Sequence, residues 1–202
     1  YYASLKKLHA LKMEVQKLKN LVPLSKPFVI EFSGTPRTGK TTTINNLCDF
    51  FKKGGFKVSL LEEFTTSKYY KEVFKKQFTK DSASAMNIAI IETVTAQLTE
   101  ALNTKNDIIL IDRSINDRQI WNYRRYLKKY FSQEQYSLLK TKYQEISQKL
   151  IDFLIITYAD PLVSLKRDYL SSLALEKRTF LNTENIAEYN NCLNDLQDLF
   201  TH

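Results

Sequence analysis

One stretch constrains this chain more than any other. Phe28-Val29-Ile30-Glu31-Phe32-Ser33 runs directly into Gly34-Thr35-Pro36-Arg37-Thr38-Gly39-Lys40-Thr41. The apolar run reads as a buried strand, and the segment from Gly34 to Thr41 fits G-x-x-x-x-G-K-[S/T] without a gap. Its glycines let the backbone curl, so that successive N–H groups turn inward toward an anion. A helical pattern begins at about residue 40, and a helix N-terminus adds partial positive charge at the same place. The candidate phosphate-binding residues are therefore Gly34, Thr35, Pro36, Arg37, Thr38, Gly39, Lys40, Thr41 and Thr42. In this pattern the lysine, Lys40, reaches the β- and γ-phosphates of a nucleotide, and the Thr41 hydroxyl sits on Mg²⁺.

The rest of the chain repeats the strand-then-helix order. Short apolar runs at Phe28–Ser33, Lys57–Leu61, Asp107–Asp112 and Asp152–Thr157 alternate with helical patterns near 40–53, 82–104, 115–130, 132–150, 160–176 and 184–200. Three of the runs are continuous (FVI, IILI, FLII), as strands buried on both faces are. Such alternation predicts an α/β fold, a parallel sheet with right-handed crossovers and helices on both faces. Ligands of such sheets lie beyond the carboxyl ends of the strands, which directs attention to residues 33–41, 62–66, 112–118 and 158–160.

Composition removes other chemistries. The only cysteines, Cys48 and Cys192, have no CxxC spacing, which excludes a disulfide framework or a cysteine-type zinc site and points to a reducing compartment. The only histidines, His9 and His202, lie near the termini, which excludes a Ser-His-Asp triad or a multi-histidine metal centre. No apolar run is long enough to span a membrane and the N-terminus has no signal-peptide core, so a cytoplasmic location is expected. The net charge of +8 is uneven, with six lysines against Glu14 in residues 1–27. There Leu8, Leu11, Val15, Leu18 and Val22 put one apolar stripe on a basic helix. That helix, residues 1–26, is expected to dock on the domain of residues 27–202, or to pair with a second copy or a protein partner. A second basic stretch, Arg113 to Lys129, reads either as a patch for an anionic ligand or as a solvated helix face.

Two acids complete the candidate site. Ile108-Ile109-Leu110-Ile111 ends in Asp112, placed to hold magnesium through water or to orient a substrate hydroxyl. The second strand runs into Glu62-Glu63, and a carboxylate there can take the proton of an acceptor hydroxyl. AAA-type motor ATPases share the loop but place a glutamate after this aspartate to activate water. Here Arg113 stands in that place, which argues against dedicated ATP hydrolysis.

The phosphate loop, the acid after strand two and Asp112-Arg113-Ser114 after strand three together resemble the P-loop nucleoside and nucleotide kinases, the deoxynucleoside kinase and thymidylate kinase group, over roughly residues 28–195. The resemblance implies a three-layer P-loop NTPase fold and an ATP- and Mg²⁺-dependent phosphotransferase acting on a nucleoside, nucleotide or similar small hydroxyl acceptor. It makes Glu63 the base, Asp112 a magnesium or hydroxyl ligand, and Arg113 a clamp on the phosphoryl groups. Some thymidylate kinases carry an arginine inside the loop, as Arg37 stands here, and then lack catalytic arginines in the lid. Pro161 and Arg167 match the family's Pro-x5-Arg, whereas basic residues return only at Lys177 and Arg178. Arg37 is thus the expected internal arginine. The base-reading glutamine of deoxynucleoside kinases falls near Ala89, with Asn87 the nearest amide. Trp121, Tyr123 and Tyr126 either stack a base or pack their helix. Two other readings stay open: a P-loop kinase of RNA or of a protein, and a nucleotide-dependent binding switch with slow hydrolysis.

Overall fold

A computed structural model describes residues 9, 10, 13, 14, 17, 26–63, 83–167 and 182–200. Four parallel strands form the sheet among these residues, β1 (Phe28–Gly34), β2 (Val58–Leu61), β3 (Ile108–Asp112) and β4 (Phe153–Thr157), in the order β2-β3-β1-β4. The helices are α1 (Lys40–Lys53), α2 (Ala83–Leu102), α3 (Ile115–Leu127), α4 (Gln133–Leu150) and α5 (Thr183–Asp195), with a 3₁₀ turn at Gln197–Phe200 and further helical residues at 161–167.

Alternation along the central strands separates two cores. Val29, Ile109 and Ile111 pack with Ile90, Leu98, Ile115, Leu139 and Tyr143 from α2, α3 and α4. Ile30, Phe32, Ile108 and Leu110 pack against Ile44 and Cys48 of α1 on the other face. Helices therefore cover both faces, in three layers. A smaller cluster joins Ile120 of α3 to Tyr189, Cys192 and Leu193 of α5.

Register brings the strand ends level. Phe32 lies opposite Asp112, Gly34 opposite Thr157, and Leu61 opposite Ile111. The phosphate loop, Asp112 and Glu63 thus leave the sheet at one edge. Gly34 is required there: its φ is 118°, and a Cβ would stand 1.9 Å from the Thr157 carbonyl oxygen.

Some expectations change. β4 is an edge strand with Phe153 55% and Ile156 37% exposed, so its unbroken apolar run does not mean burial on both faces. α3 stops at Leu127, and Lys129 takes a left-handed φ of 59° with its N–H bonded to the Tyr126 carbonyl. α4 starts at Gln133 because Ser132 and Gln135 form a reciprocal capping box. The last helix tightens into the 3₁₀ turn after Asp195. In the N-terminal segment His9, Ala10, Met13, Glu14 and Lys17 are helical and exposed, while the stripe Leu8, Leu11, Val15, Leu18 and Val22 lies outside the described residues. So do Phe64, Lys177 and Arg178. No helix among the described residues is long and apolar enough to cross a membrane.

Candidate active site

The loop after β1 curls through three left-handed residues, Gly34 (φ 118°), Arg37 (φ 60°) and Gly39 (φ 96°). α1 begins with Gly39 as its cap, with no side-chain hydrogen bond and no acid in the first turn. Its leading N–H groups thus have no capping side chain, the arrangement that favours an anion. Lys40 is buried and donates to the carbonyls of Thr35 (2.6 Å) and Gly34 (3.1 Å), and at 3.4 Å to the Thr38 hydroxyl. Burial, and then the nearby Arg113 charge, push its ammonium down to a pKa of about 8.

Not every loop residue faces the same way. Thr35 is fully buried, its N–H bonds to the Thr157 carbonyl at 2.9 Å, and its hydroxyl donates to Asn190 of α5 at 2.7 Å. Thr35 therefore anchors the loop to β4 and α5, and its N–H is already committed. Thr38 also ties to β4, through the Thr157 hydroxyl at 2.8 Å. Pro36, Arg37, Gly39, Lys40, Thr41 and Thr42 line an open cavity of about 560 Å³. Glu63, Asp112, Arg113, Trp121 and Arg167 complete its wall. The residues singled out in the sequence after strands two and three are thus brought to the loop. Arg167 also donates to the loop carbonyls of Arg37 (3.2 Å) and Thr38 (3.3 Å).

Across the cavity Thr41 Oγ1 donates to Asp112 Oδ2 at 2.5 Å, so a hydroxyl and a carboxylate already stand together at the head of α1. Arg113 comes next in a left-handed conformation, φ 59°, a strain of about 1–3 kcal/mol that surrounding contacts must hold. Its guanidinium lies 3.9 Å from Glu63 and 3.4 Å from Asp117. Burial opposes the charge on Arg113, yet Asp117 and Glu63 outweigh that and raise its pKa above the ordinary value.

Asp117 was not singled out by the sequence, and it organises this wall. Its buried carboxylate accepts from Tyr189 (2.7 Å), Trp121 Nε1 (3.0 Å), Ser33 (3.2 Å) and Arg113. Burial works against its charge, but Arg113 and the Tyr189 hydrogen bond hold its pKa below the usual carboxylate value. The i, i+4 spacing from Arg113 was the one signal for it.

Glu31, mid-strand in β1, is fully buried and meets the head of α3. It accepts from the N–H groups of Ser114 (2.9 Å), Asn116 (2.9 Å) and Asp117 (3.2 Å), and from the Asn116 amide (3.0 Å). Burial pushes its pKa up to about 7 against those donors. It fixes the helix that begins two residues after Arg113.

Tyr123 and Tyr126 pack with Tyr136 of α4, the Tyr126–Tyr136 rings stacked at 4.6 Å, so they are helix-packing residues. Trp121 alone of the three aromatics lines the cavity. Asn87 is fully buried and accepts from Arg125, so it braces that arginine from inside the fold. Among the described residues no cluster of three or more His, Cys, Asp or Glu could hold a metal ion.

A family model described as AAA_28, AAA domain, matches residues 29–191. Among solved structures, deoxyadenosine kinase from M. mycoides with bound dATP is similar, at 20% identity and a TM-score of 0.56, over 85% of this chain and 84% of that one. At that identity the likeness is one of fold. No curated protein matches. The fold is the three-layer P-loop NTPase arrangement that the resemblance implies, and it is shared with a nucleoside kinase.

Proposed function

The chain belongs to the AAA_28 family of AAA domains, and from that premise we propose that it is an ATP- and Mg²⁺-dependent kinase of a nucleoside, nucleotide or similar small hydroxyl compound. One observation carries the reading. Glu63 stands between the cavity of the phosphate loop and a second cavity beyond it, so a carboxylate borders both a donor space and an acceptor space. At the position after Asp112, where AAA-type motor ATPases place a water-activating glutamate, this chain has Arg113, a guanidinium that cannot accept a proton.

In this reading the acceptor hydroxyl lies beside Glu63 with its oxygen toward the γ-phosphorus. That oxygen forms the new P–O bond as the bond to the β,γ-bridging oxygen breaks. The hydroxyl proton passes to the Glu63 carboxylate, and ADP leaves. Lys40, Arg37 and Arg113 stabilise charge on the phosphoryl oxygens, a contribution that comes from position and not from bond making. Arg113 is held for this by Asp117. The Thr41 hydroxyl and the Asp112 carboxylate suit a hard cation and would hold magnesium. Magnesium supplies charge neutralisation on the β- and γ-phosphates when bound.

The test is a mass-spectrometric screen of nucleosides, nucleotides and sugars with Mg-ATP. An acceptor that gains one phosphate with the wild type and not with Lys40→Ala supports the reading. No gain on any acceptor, from a protein that binds ATP, refutes it.

A further inference from the structure

Beyond Glu63 and Arg113 lies the second cavity, of about 210 Å³, and one face of α3 forms much of its wall. Arg118, Trp121 and Arg125 have the i, i+3, i+7 spacing that aligns side chains along a helix. Two guanidinium groups therefore bracket one indole over about 10 Å of helix axis. All three are half-buried. Arg125 donates to Oδ1 of the fully buried Asn87 at 3.2 Å. Trp121 is fixed by its bond to Asp117 and by the Tyr189 ring, whose centroid lies 5.2 Å away.

Among the described residues the acids that line this cavity, Glu63 and Asp117, both approach Arg113. Glu63 and Asp117 lie 3.9 and 3.4 Å from that guanidinium, and Asp117 also serves Tyr189, Trp121 and Ser33. Among the described lining residues three guanidinium groups, Arg113, Arg118 and Arg125, stand with two carboxylates, Glu63 and Asp117, and the Asp117 carboxylate also feels the charge of Arg118. Half-buried guanidinium groups attract an anion more strongly than exposed ones, and their planar forks match phosphate or carboxylate oxygens.

We propose that the acceptor has two unlike ends: a hydroxyl that reacts beside Glu63, and an anionic group, a phosphomonoester or carboxylate, bound by Arg118 and Arg125. The Glu63 carboxylate repels an anion and accepts a proton, so the charged end lies away from it, along α3. Trp121, with the Arg124 guanidinium 5.4 Å from its ring centroid, lines the wall between the two ends. The inference rests on the kinase reading for the reacting hydroxyl alone; the anion site stands on the arginines and the cavity.

Trp121 is the single tryptophan of the chain and borders both cavities, so its emission reports binding without turnover. With ADP saturating, the emission is titrated with matched probes differing by one phosphate: ribose against ribose 5-phosphate, and thymidine against thymidine 3′-monophosphate. The phosphate-bearing member of at least one pair is expected to bind about tenfold or more tightly, as for one charge-assisted contact. In Arg118→Gln/Arg125→Gln, with ADP affinity retained as the check on folding, that ratio falls toward one. Arg125→Lys restores part of it. Equal or tighter binding of the neutral members, no response from either pair, or a preference that survives the double substitution overturns the proposal. The same mixtures, run with Mg-ATP alongside the acceptor screen, separate the two claims. Selective binding without phosphate transfer to any acceptor refutes the kinase reading and leaves the anion site standing. Transfer to neutral acceptors with no anion preference does the reverse.

Discussion

Glu31 sets burial against a helix N-terminus, and the outcome is measurable. Its pKa in the folded protein is about 7, against 4.5 for an unperturbed glutamate. A carboxyl with a raised folded pKa binds its proton better in the native state. It therefore stabilises most below the unfolded value, and that contribution is lost as pH rises through the folded one. One pKa unit is worth about 1.4 kcal/mol, so the full difference is about 3 kcal/mol, of which about 2 kcal/mol falls between roughly pH 5.5 and 7.5. Glu31→Gln removes the titration and keeps an oxygen toward Ser114, Asn116 and Asp117. Urea unfolding at several pH values is expected to show wild-type stability falling by about 2 kcal/mol more than that of the variant over this interval. For a domain of this size the corresponding shift in Tm is about 4–8 °C. Parallel curves for the two proteins would refute the reasoning. They would mean that three backbone N–H groups hold Glu31 ionised throughout and that desolvation is the smaller effect.

The phosphate loop carries two further expected outcomes. Arg37→Ala should lower kcat by at least ~10²-fold while ATP affinity falls far less, the mark of a contact made mainly in the transition state; a wild-type kcat in that variant, with a loss in Lys177→Ala/Arg178→Ala, would move the charge to the lid. Because the Lys40 ammonium titrates near pH 8 and phosphates favour its charged form, nucleotide binding should take up a proton above that pH. Affinity should then fall by up to about tenfold per pH unit above pH 8; calorimetry in buffers of different ionisation enthalpy checks the uptake, and an affinity independent of pH from 7 to 9 contradicts it.

How much of this site was legible in the sequence depends on how far apart its parts lie along the chain. The strand, loop and helix at Phe28–Lys53 are contiguous, and the chemistry of the loop is written in its spacing. Asp112 and Glu63 were legible because parallel strands deliver their ends to one edge. Asp117 was not, because its partners Ser33 and Tyr189 are 84 residues before and 72 after it. Glu31 carried a signal, an acid inside a buried apolar run, but its partner was a helix end that only folding supplies. β4 shows the converse limit, since an apolar run reads the same at the edge of a sheet as at its centre.

The buried partners of Asp117 make one last prediction, about a residue remote from the loop in sequence. Tyr189 donates to Asp117 at 2.7 Å, and Asp117 in turn holds the strained Arg113. Tyr189→Phe keeps the ring against Trp121 and removes one donor from a buried carboxylate, at a cost of about 1–3 kcal/mol in stability. If α5 acts on catalysis through Arg113, Tyr189→Phe lowers kcat in the wild-type background and adds little once Arg113 is replaced by alanine. The cycle of Tyr189→Phe and Arg113→Ala is then non-additive, as expected for residues in one hydrogen-bonded network. Additive losses in kcat would mean that Tyr189 serves the fold alone, and that Asp117 holds the guanidinium without help from α5.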